Sequence, residues 1–569
     1  MKNLYRFFGI VMLLSSALQL SANNLNITNV SLTGATSSTI QVQYNMFWEN
    51  SWRDAENWDA TWVFIKYSTN NGNTWEHATL SPSGHVAGTA SPTPSIQIPQ
   101  DNLGAFVYRS SQSTGTFTIT GQQLQWNFVA NGLNQSQASS AEIRVFGMEM
   151  VYIPQGPFAL GDGVNYTGTP NPSFNAYRRN FTSRAVYVTD VISDSIQDPQ
   201  FGFFRTHGLN GIDLNMDGVV GTWPTDAPDF PIGYKAIYCM KYKVTQGQYC
   251  DFLNTLTYTQ QSSRVNSTTN TVGQSAWDGS TTTLPANRFN IFVQIAGVSP
   301  STPRIYTATR PDRYCNLLNW PDAAAYADWA ALRPMTDMER EKIGRGPLPP
   351  VQGEYADGLT SINSLTALTT GNENGQETST STSNTGFNIY NSATISGGDG
   401  SFNRAPIRAG IFARSSTSRT QSGSSYYGVM DLTSDLIEFT VSFSTLAGRS
   451  FTGLHGNGLL DVNGFANQNF WPGINGNSSY TSANTTFGST GVTSGAGIMF
   501  TGSIAWNGDV NSGPQFGSSY NFNTIWSLSS KFNISFLNIA ICCSSTSTRL
   551  TSYTSRYQQV GFRGVKSNL

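Results

Sequence analysis

A chain of 569 residues with 32 basic and 34 acidic side chains has a formal charge of −2, so no basic field draws it to nucleic acid or to an anionic membrane surface. Charged residues make up only 12% of it, aromatics another 12%, and there are 54 glycines, a profile of a strand- and loop-rich extracellular protein rather than a helical bundle. That length allows two to four domains with ample core.

Met1 to Ala22 reads as an export signal: Lys2 and Arg6 form a basic start, Phe7 to Leu14 is apolar, and Leu20-Ser-Ala22 is an acceptable cleavage site. The apolar run is too short to span a bilayer and no later span is found. The chain is therefore expected in the periplasm, on the cell surface or secreted, and without a lipid anchor, because no cysteine stands at the cleavage site. From Asn23 to Gly147 short strands are predicted. Ile40, Val42 and Tyr44 alternate with polar residues, as do Leu124, Trp126 and Phe128, and turns such as Asn70-Asn-Gly72 separate them. The expectation is an all-β sandwich over 23–147, with Asn131 to Ser140 a polar bridge to a second unit over 148–569. Trp48, Trp52, Trp58 and Trp62 crowd one segment, either as a platform for sugar rings or as core, the commoner fate.

Met150 to Gly161 reads as strand, turn and strand. In Tyr238 to Leu253, Thr245 is a helix N-cap with Gln248 three residues on, and Tyr249, Phe252 and Leu253 form the apolar face. Asn319 to Trp329 is a predicted helix with Pro321 near its start. In the next one Thr336 is the cap, Glu339 closes the box and Gly346 ends it. Asp213-Leu-Asn-Met-Asp-Gly218 copies the first half of a calcium loop, through Asp213, Asn215 and Asp217, but Pro224 stands where the closing Glu belongs, so an Asx-turn is the other reading. The five cysteines (Cys239, Cys250, Cys315, Cys542, Cys543) are too few for a disulfide scaffold, and the four histidines lack zinc-ligand spacing. Near the middle of the second unit, Gly428 to Thr440 sets Asp431, Asp435 and Glu438 among Leu432, Leu436 and Ile437. Carboxylates so placed need a partner, and Asp435 and Glu438, with a backbone carbonyl such as that of Leu436, could serve calcium; a turn whose acids face water is the alternative.

These landmarks together resemble the formylglycine-generating enzyme, or sulfatase-modifying factor, superfamily. Gly428 to Phe439 is similar to that family's Gly-Leu-Tyr-Asp-Met-Ser-Gly-Asn-Val-Trp-Glu-Trp, with Ser434-Asp435 for Gly-Asn and both tryptophans lost. Met150 to Gly161 resembles its opening, and Tyr242 to Phe252 its Tyr-Glu-Val-Thr element with Lys243 in place of Glu. Arg333, Thr336, Glu339, Glu341, Arg345 and Gly346 match its Arg-Leu-Pro-Thr-Glu helix, and Gly561-Phe-Arg563 its closing strand. The resemblance implies an α+β, C-type-lectin-like domain with long loops on a small sheet, following the sandwich. Insertions relative to it fall at 161–231, 255–310 and 347–403. It also implies calcium at Asp435 and Glu438, and a further calcium site for which Asn388 and Asp399 are weak candidates.

Catalytic members oxidise a substrate cysteine to formylglycine through a Cys-x4-Cys pair that uses copper and oxygen, shortly before the Gly-Phe-Arg. No such pair occurs here; Cys543 falls on the second position and Asn538 on the first. No catalytic residue is therefore assigned, Cys543 being the one weak candidate, and copper enters only if the chain is catalytic. What remains is binding of an extracellular or envelope protein or a glycan, through Trp526, Phe536, Asn538, Tyr553 and Tyr557 in a nearly uncharged segment, Trp526 to Gln559. Some lectin-like relatives diversify that surface. A formylglycine-generating oxidoreductase and a structural component of a bacterial envelope, gliding or secretion assembly are the alternatives.

Overall fold

A computed structural model describes residues 25–160, 186–191, 196–198, 202–213, 218–219, 221–222, 226–265, 269–277, 288–349, 351, 356–359, 368, 375, 377–378, 406–413, 417–432, 436–441, 451–471, 498–501, 556 and 560–567. Its first stretch holds β1 (Asn26–Thr33), β2 (Ile40–Arg53), β3 (Asp59–Ser68), β4 (Glu76–His77), β5 (Pro94–Gln97), β6 (Ala105–Arg109), β7 (Ser113–Trp126), helix α1 (Gln135–Ser140) and β8 (Glu142–Ile153). The period-2 apolar pattern decides the first sheet: Ile40, Val42, Tyr44, Met46 and Trp48 all turn inward from β2, which pairs antiparallel with β1 and β7. The polar bridge expected at 131–140 folds into α1, because Asn134 and Gln137 form a capping box.

Beyond β8 come β9 (Phe158–Leu160), β10 (Val186–Val188), β11 (Ile196–Asp198), β12 (Gly202–Thr206), β13 (Ile212–Asp213), β14 (Ile237–Met240), α2 (Gln246–Leu253), α3 (Tyr258–Arg264), β15 (Ile291–Ile295) and β16 (Ile305–Ala308). They are followed by α4 (Trp320–Trp329), β17 (Arg333–Pro334), α5 (Asp337–Arg345), α6 (Arg419–Ser422), β18 (Ile437–Val441), β19 (Ile498–Thr501), β20 (Val560–Gly561) and β21 (Gly564–Ser567). The chain is α+β, rich in sheet with short helices. Capping boxes start α2 at Thr245 and α5 at Thr336, and Gly346 ends α5, as the local sequence predicts. No helix among the described residues is long and apolar enough to cross a membrane.

One eight-stranded sheet organises the molecule, in the order β17-β21-β14-β8-β3-β6-β5 with β4 beside β3. Strand β8 pairs with β3 from Glu142 to Val151 and with β14 from Met150 to Ile153. The domain boundary expected at 147/148 therefore falls inside a continuous strand. Strand patterning reports which face is apolar; it does not report which strand lies alongside.

Strand β3 is buried along its whole length because both of its faces are covered. Val63, Ile65 and Tyr67 pack with Val42, Tyr44, Leu124 and Trp126 of the first sheet. Trp62 and Phe64 point the other way, into a core with Phe106, Met148, Phe252, Tyr326 and Trp329. Phe64 meets Trp329 edge-on at 5.0 Å, and the Trp62 indole N–H donates to the Ala330 carbonyl at 2.9 Å. Each large apolar side chain so buried contributes about 1.5–3 kcal/mol. Of the crowded tryptophans, Trp48 and Trp62 are core, while Trp52 and Trp58 are half-buried.

A chain restricted to 148–569 lacks β3, β5 and β6, so the inner face of β14, with Tyr238 against Phe106 at 3.7 Å in the intact protein, is left bare. Such a truncation is expected to elute as aggregate in size-exclusion chromatography, whereas a monomer with a sharp thermal transition would show that the shared sheet is dispensable.

Candidate functional site

The acidic segment 428–440 meets the closing strand and α5. Asp431 sits at φ +58, its carboxylate accepting from the Tyr314 hydroxyl and from the Gly410 N–H at 3.1 Å, while the Lys243 ammonium donates to its carbonyl. Glu438, on β18, is fully buried and accepts from the Arg563 Nε. Arg340 Nε lies 3.6 Å from the same carboxylate and Lys243 Nζ 4.0 Å. Both guanidinium groups are also spent on backbone: Arg563 donates to the Met430 carbonyl at 2.8 Å and Arg340 to that of Leu432 at 2.9 Å. Burial alone would raise the Glu438 carboxyl, but the charges of Arg563, Lys243 and Arg340 overcome it and hold it below the usual carboxylate range.

Those cations supply the counter-charge that a carboxylate buried at Glu438 needs. Lys243, which departs from the family's Glu, supplies one of them, and Leu436 contributes a buried apolar side chain. Asp435 lies outside the described residues, as do Asn388, Asp399, Asn215 and Asp217. Asp213 is buried on β13 and accepts from the Gly218 N–H at 3.0 Å. Among the described residues, no group of three or more His, Cys, Asp or Glu side chains is placed to hold a metal ion. Cys543 and the expected ligand-binding residues Trp526, Phe536, Asn538, Tyr553 and Tyr557 also lie outside the described residues.

Two further ionic clusters were not anticipated from sequence. Lys241, next to β14, reaches Glu149 at 2.9 Å and Asp59 at 3.3 Å across the large sheet. Asp322, in the first turn of α4, receives Arg264 at 2.9 Å and Arg556 at 2.6 Å, which ties the end of the chain to the helices. Their partners are too far apart in sequence to be paired by spacing.

A cavity of about 920 Å³ opens at the β17-β21-β14 end of the sheet. Its lining includes Tyr152, Arg333, Glu339, Thr452, His455 and Ser567. Arg333 and Glu339 form a two-pronged ion pair, Nη1 to Oε2 at 2.9 Å and Nη2 to Oε1 at 2.6 Å, and Glu339 also accepts the Thr336 N–H. The Arg333 Nε and the Thr452 hydroxyl are buried without a partner. His455 accepts the Ser567 N–H on Nε2 at 2.9 Å, and burial lowers its pKa well below the ordinary value, so the ring is neutral. The wall carrying residues 452–457 is held by Asp328 of α4, which accepts from the N–H groups of Asn457 at 2.8 Å and Asn467 at 2.9 Å. Gly456 lets that wall approach, since a Cβ there would stand 2.4 Å from the Asp328 Cα. Sequence reasoning missed this cavity; the glycines at 453, 456 and 458 around His455 were its only local signal.

Residues 209–484 match the family model described as the sulfatase-modifying factor enzyme 1-like domain. No curated protein matches the chain.

Replacing Glu438 by Gln leaves three buried cations facing a neutral amide, and is expected to cost about 3–5 kcal/mol of unfolding free energy at any calcium concentration. Calcium that raises the unfolding free energy of the unsubstituted protein and leaves that of the variant unchanged would instead make Glu438 a metal ligand. Burial pushes the Asp328 carboxyl up to about 6, against the hydrogen bonds it accepts and the nearby Lys66. Because that value lies above the unfolded one, the group's contribution to stability is complete below about pH 4 and is lost as pH rises through about 6. Urea unfolding at pH 5 and pH 7 should show a drop of about 1 kcal/mol that Asp328→Asn flattens; an unchanged slope in the variant would assign the drop to other groups.

Proposed function

The chain belongs to the sulfatase-modifying factor superfamily through its domain at 209–484, and from that premise we propose that it is an exported, non-catalytic member that binds an extracellular glycan or protein ligand. The observation that carries this reading is the state of its cysteines. No two of the five stand four residues apart. Of the three described, Cys239, Cys250 and Cys315 are all buried; burial pushes the Cys239 thiol up to about 12 and the other two well above the ordinary value. At neutral pH these are protonated thiols, poor ligands for copper and poor nucleophiles. They do not fit the metal that formylglycine synthesis requires.

In this reading the domain keeps the lectin-like scaffold of its family and has lost its chemistry. Its buried ion pairs, such as Glu438 with Arg563 and Asp322 with Arg264, hold loops and helices over the large sheet. Trp526, Phe536, Asn538, Tyr553 and Tyr557 remain the proposed contact residues for a large ligand, and the basic and apolar start of the chain the proposed export signal. Aerobic incubation of the copper-loaded protein with a cysteine-type sulfatase peptide tests the proposal by peptide mass. No aldehyde is expected beside an active control enzyme; conversion of the cysteine would overturn the non-catalytic reading.

A further inference from the structure

We propose that Lys241 and Asp59 condense inside the folded protein into an isopeptide bond, with Glu149 as the proton-transfer group, so that β3 is covalently joined to the end of β14. The inference is independent of what the chain binds.

Sheet register brings the three side chains together. Asp59 opens β3 and lies opposite Val151 of β8, and Glu149, two residues earlier on β8, shares that face. On the other flank of β8, Cys239 lies opposite Val151, and Lys241 follows two residues later, its N–H donating to the Glu149 carbonyl at 2.8 Å. Lys241 Nζ then stands 2.9 Å from Glu149 Oε2 and 3.3 Å from Asp59 Oδ2. All three residues are buried, and aromatic rings close over them: Trp48 is fully enclosed, and Nζ lies 5.0 Å from the Trp52 ring centre and 5.6 Å from that of Tyr242.

One cation here faces two carboxyl groups. Arg109, on the Asp59 side, donates its Nε to the Ser51 hydroxyl at 2.9 Å rather than to a carboxylate. Burial pushes the Asp59 carboxyl up, against Lys241 and the hydrogen bonds from Ser51, Trp48 and Trp52, and so favours the protonated acid, which is the form an amine can acylate. Burial also pulls Lys241 down, but Glu149, Tyr242 and Asp59 outweigh it and the amine rests as an ammonium. Passing one proton from that ammonium to Glu149 frees the nucleophile and replaces a buried ion pair by neutral groups, the exchange that a dry site favours.

The two oxygens of Asp59 are held differently. Oδ1 accepts from the Ser51 hydroxyl at 2.8 Å and from the Trp52 N–H at 3.0 Å, two fixed donors where negative charge gathers during attack. Oδ2 faces the amine and accepts the Trp48 indole N–H at 3.0 Å. The amine attacks Asp59 Cγ and the Nζ–Cγ bond forms. Glu149 returns its proton to the Oδ2 hydroxyl, the Cγ–Oδ2 bond breaks, and Oδ2 leaves as water; Glu149 then takes the proton that the new amide nitrogen sheds. Ammonium, carboxylate and acid become amide, water and a protonated Glu149, with no oxidant or reductant. Oriented pairs of this kind reach effective concentrations of about 10⁵–10⁸ M, which drives a condensation that free amines and acids do not undergo in water. The bond joins residues 182 positions apart.

Intact mass spectrometry of the purified full chain reads the bond directly. The folded protein is expected to be lighter by one water than the sum of its residues from its determined N-terminus, and a protease digest should yield one branched peptide joining the segments around 59 and 241. Lys241→Arg and Glu149→Gln should each retain the water. Asp59→Asn, whose leaving group is ammonia, should give a product of the same mass as the unsubstituted chain. The unsubstituted protein decides the matter even where a variant fails to fold: a folded chain at its full sequence mass, or a water loss mapped away from residues 59 and 241, overturns the bond. A folded Glu149→Gln chain that still loses water removes Glu149 from the reaction.

Discussion

A carboxylate removed from water has to find its counter-charge inside the protein, and Glu438 finds it in Arg563, Lys243 and Arg340. Each cation comes from a different part of the chain: the segment between β20 and β21, the turn after β14, and helix α5. Because the same guanidinium groups also bind the carbonyls of Met430 and Leu432, the acidic segment is fixed to the large sheet through its backbone as well as its charge. Such pairs add little net stability relative to an apolar core, but breaking one is costly. Their effect is to exclude other arrangements: any register that separates Glu438 from Arg563 strands several charges at once.

The sheet onto which this cluster locks is shared. Strands β3, β5 and β6 continue the same hydrogen-bonded surface as β14, β21 and β17, and Lys241 bridges from the end of β14 to Glu149 on β8 and to Asp59 on β3. The first stretch of the chain thus sends Ala60, Trp62, Phe64 and Phe106 into the core under the helices. Asn57 illustrates the closeness, donating to the carbonyl of Tyr427, 370 positions away.

What was legible in the sequence was local. Thr245 with Gln248 and Thr336 with Glu339 sit within one helical turn of each other, so their spacing alone announces the caps. The inward alternation of β2 was equally plain. What was hidden depends on distance along the chain: Glu438 and Arg563 are 125 positions apart, and the cavity is assembled from a loop at 100–103, the end of β8, β17 and residues 452–457. The tryptophan-rich segment held both answers at once, since β-strand alternation sends Trp62 into the core while the turn before β3 leaves Trp58 half-buried, stacked between Tyr152 and Tyr108. Lys243 stood out in the sequence only as a departure from the family's Glu; its charge becomes meaningful once the fold brings it beside the Glu438 carboxylate.

The position of β21 has a temporal side. Residues 564–567 form the strand that joins β14 to β17: Val565 faces Cys239 on one flank and Arg333 on the other, and Arg563 just before it reaches back 323 positions to the Met240 carbonyl. A ribosome delivers β14 and β17 long before the strand that unites them. Through that interval β14 presents an unpaired edge, and the residues around Arg333 and Glu339 have no floor. Pairings of such long range are slow and leave the incomplete sheet open to wrong partners. The large sheet is therefore sealed only after the whole chain between β17 and β21 has been made, and every residue inserted into the loops before β21 lengthens the wait.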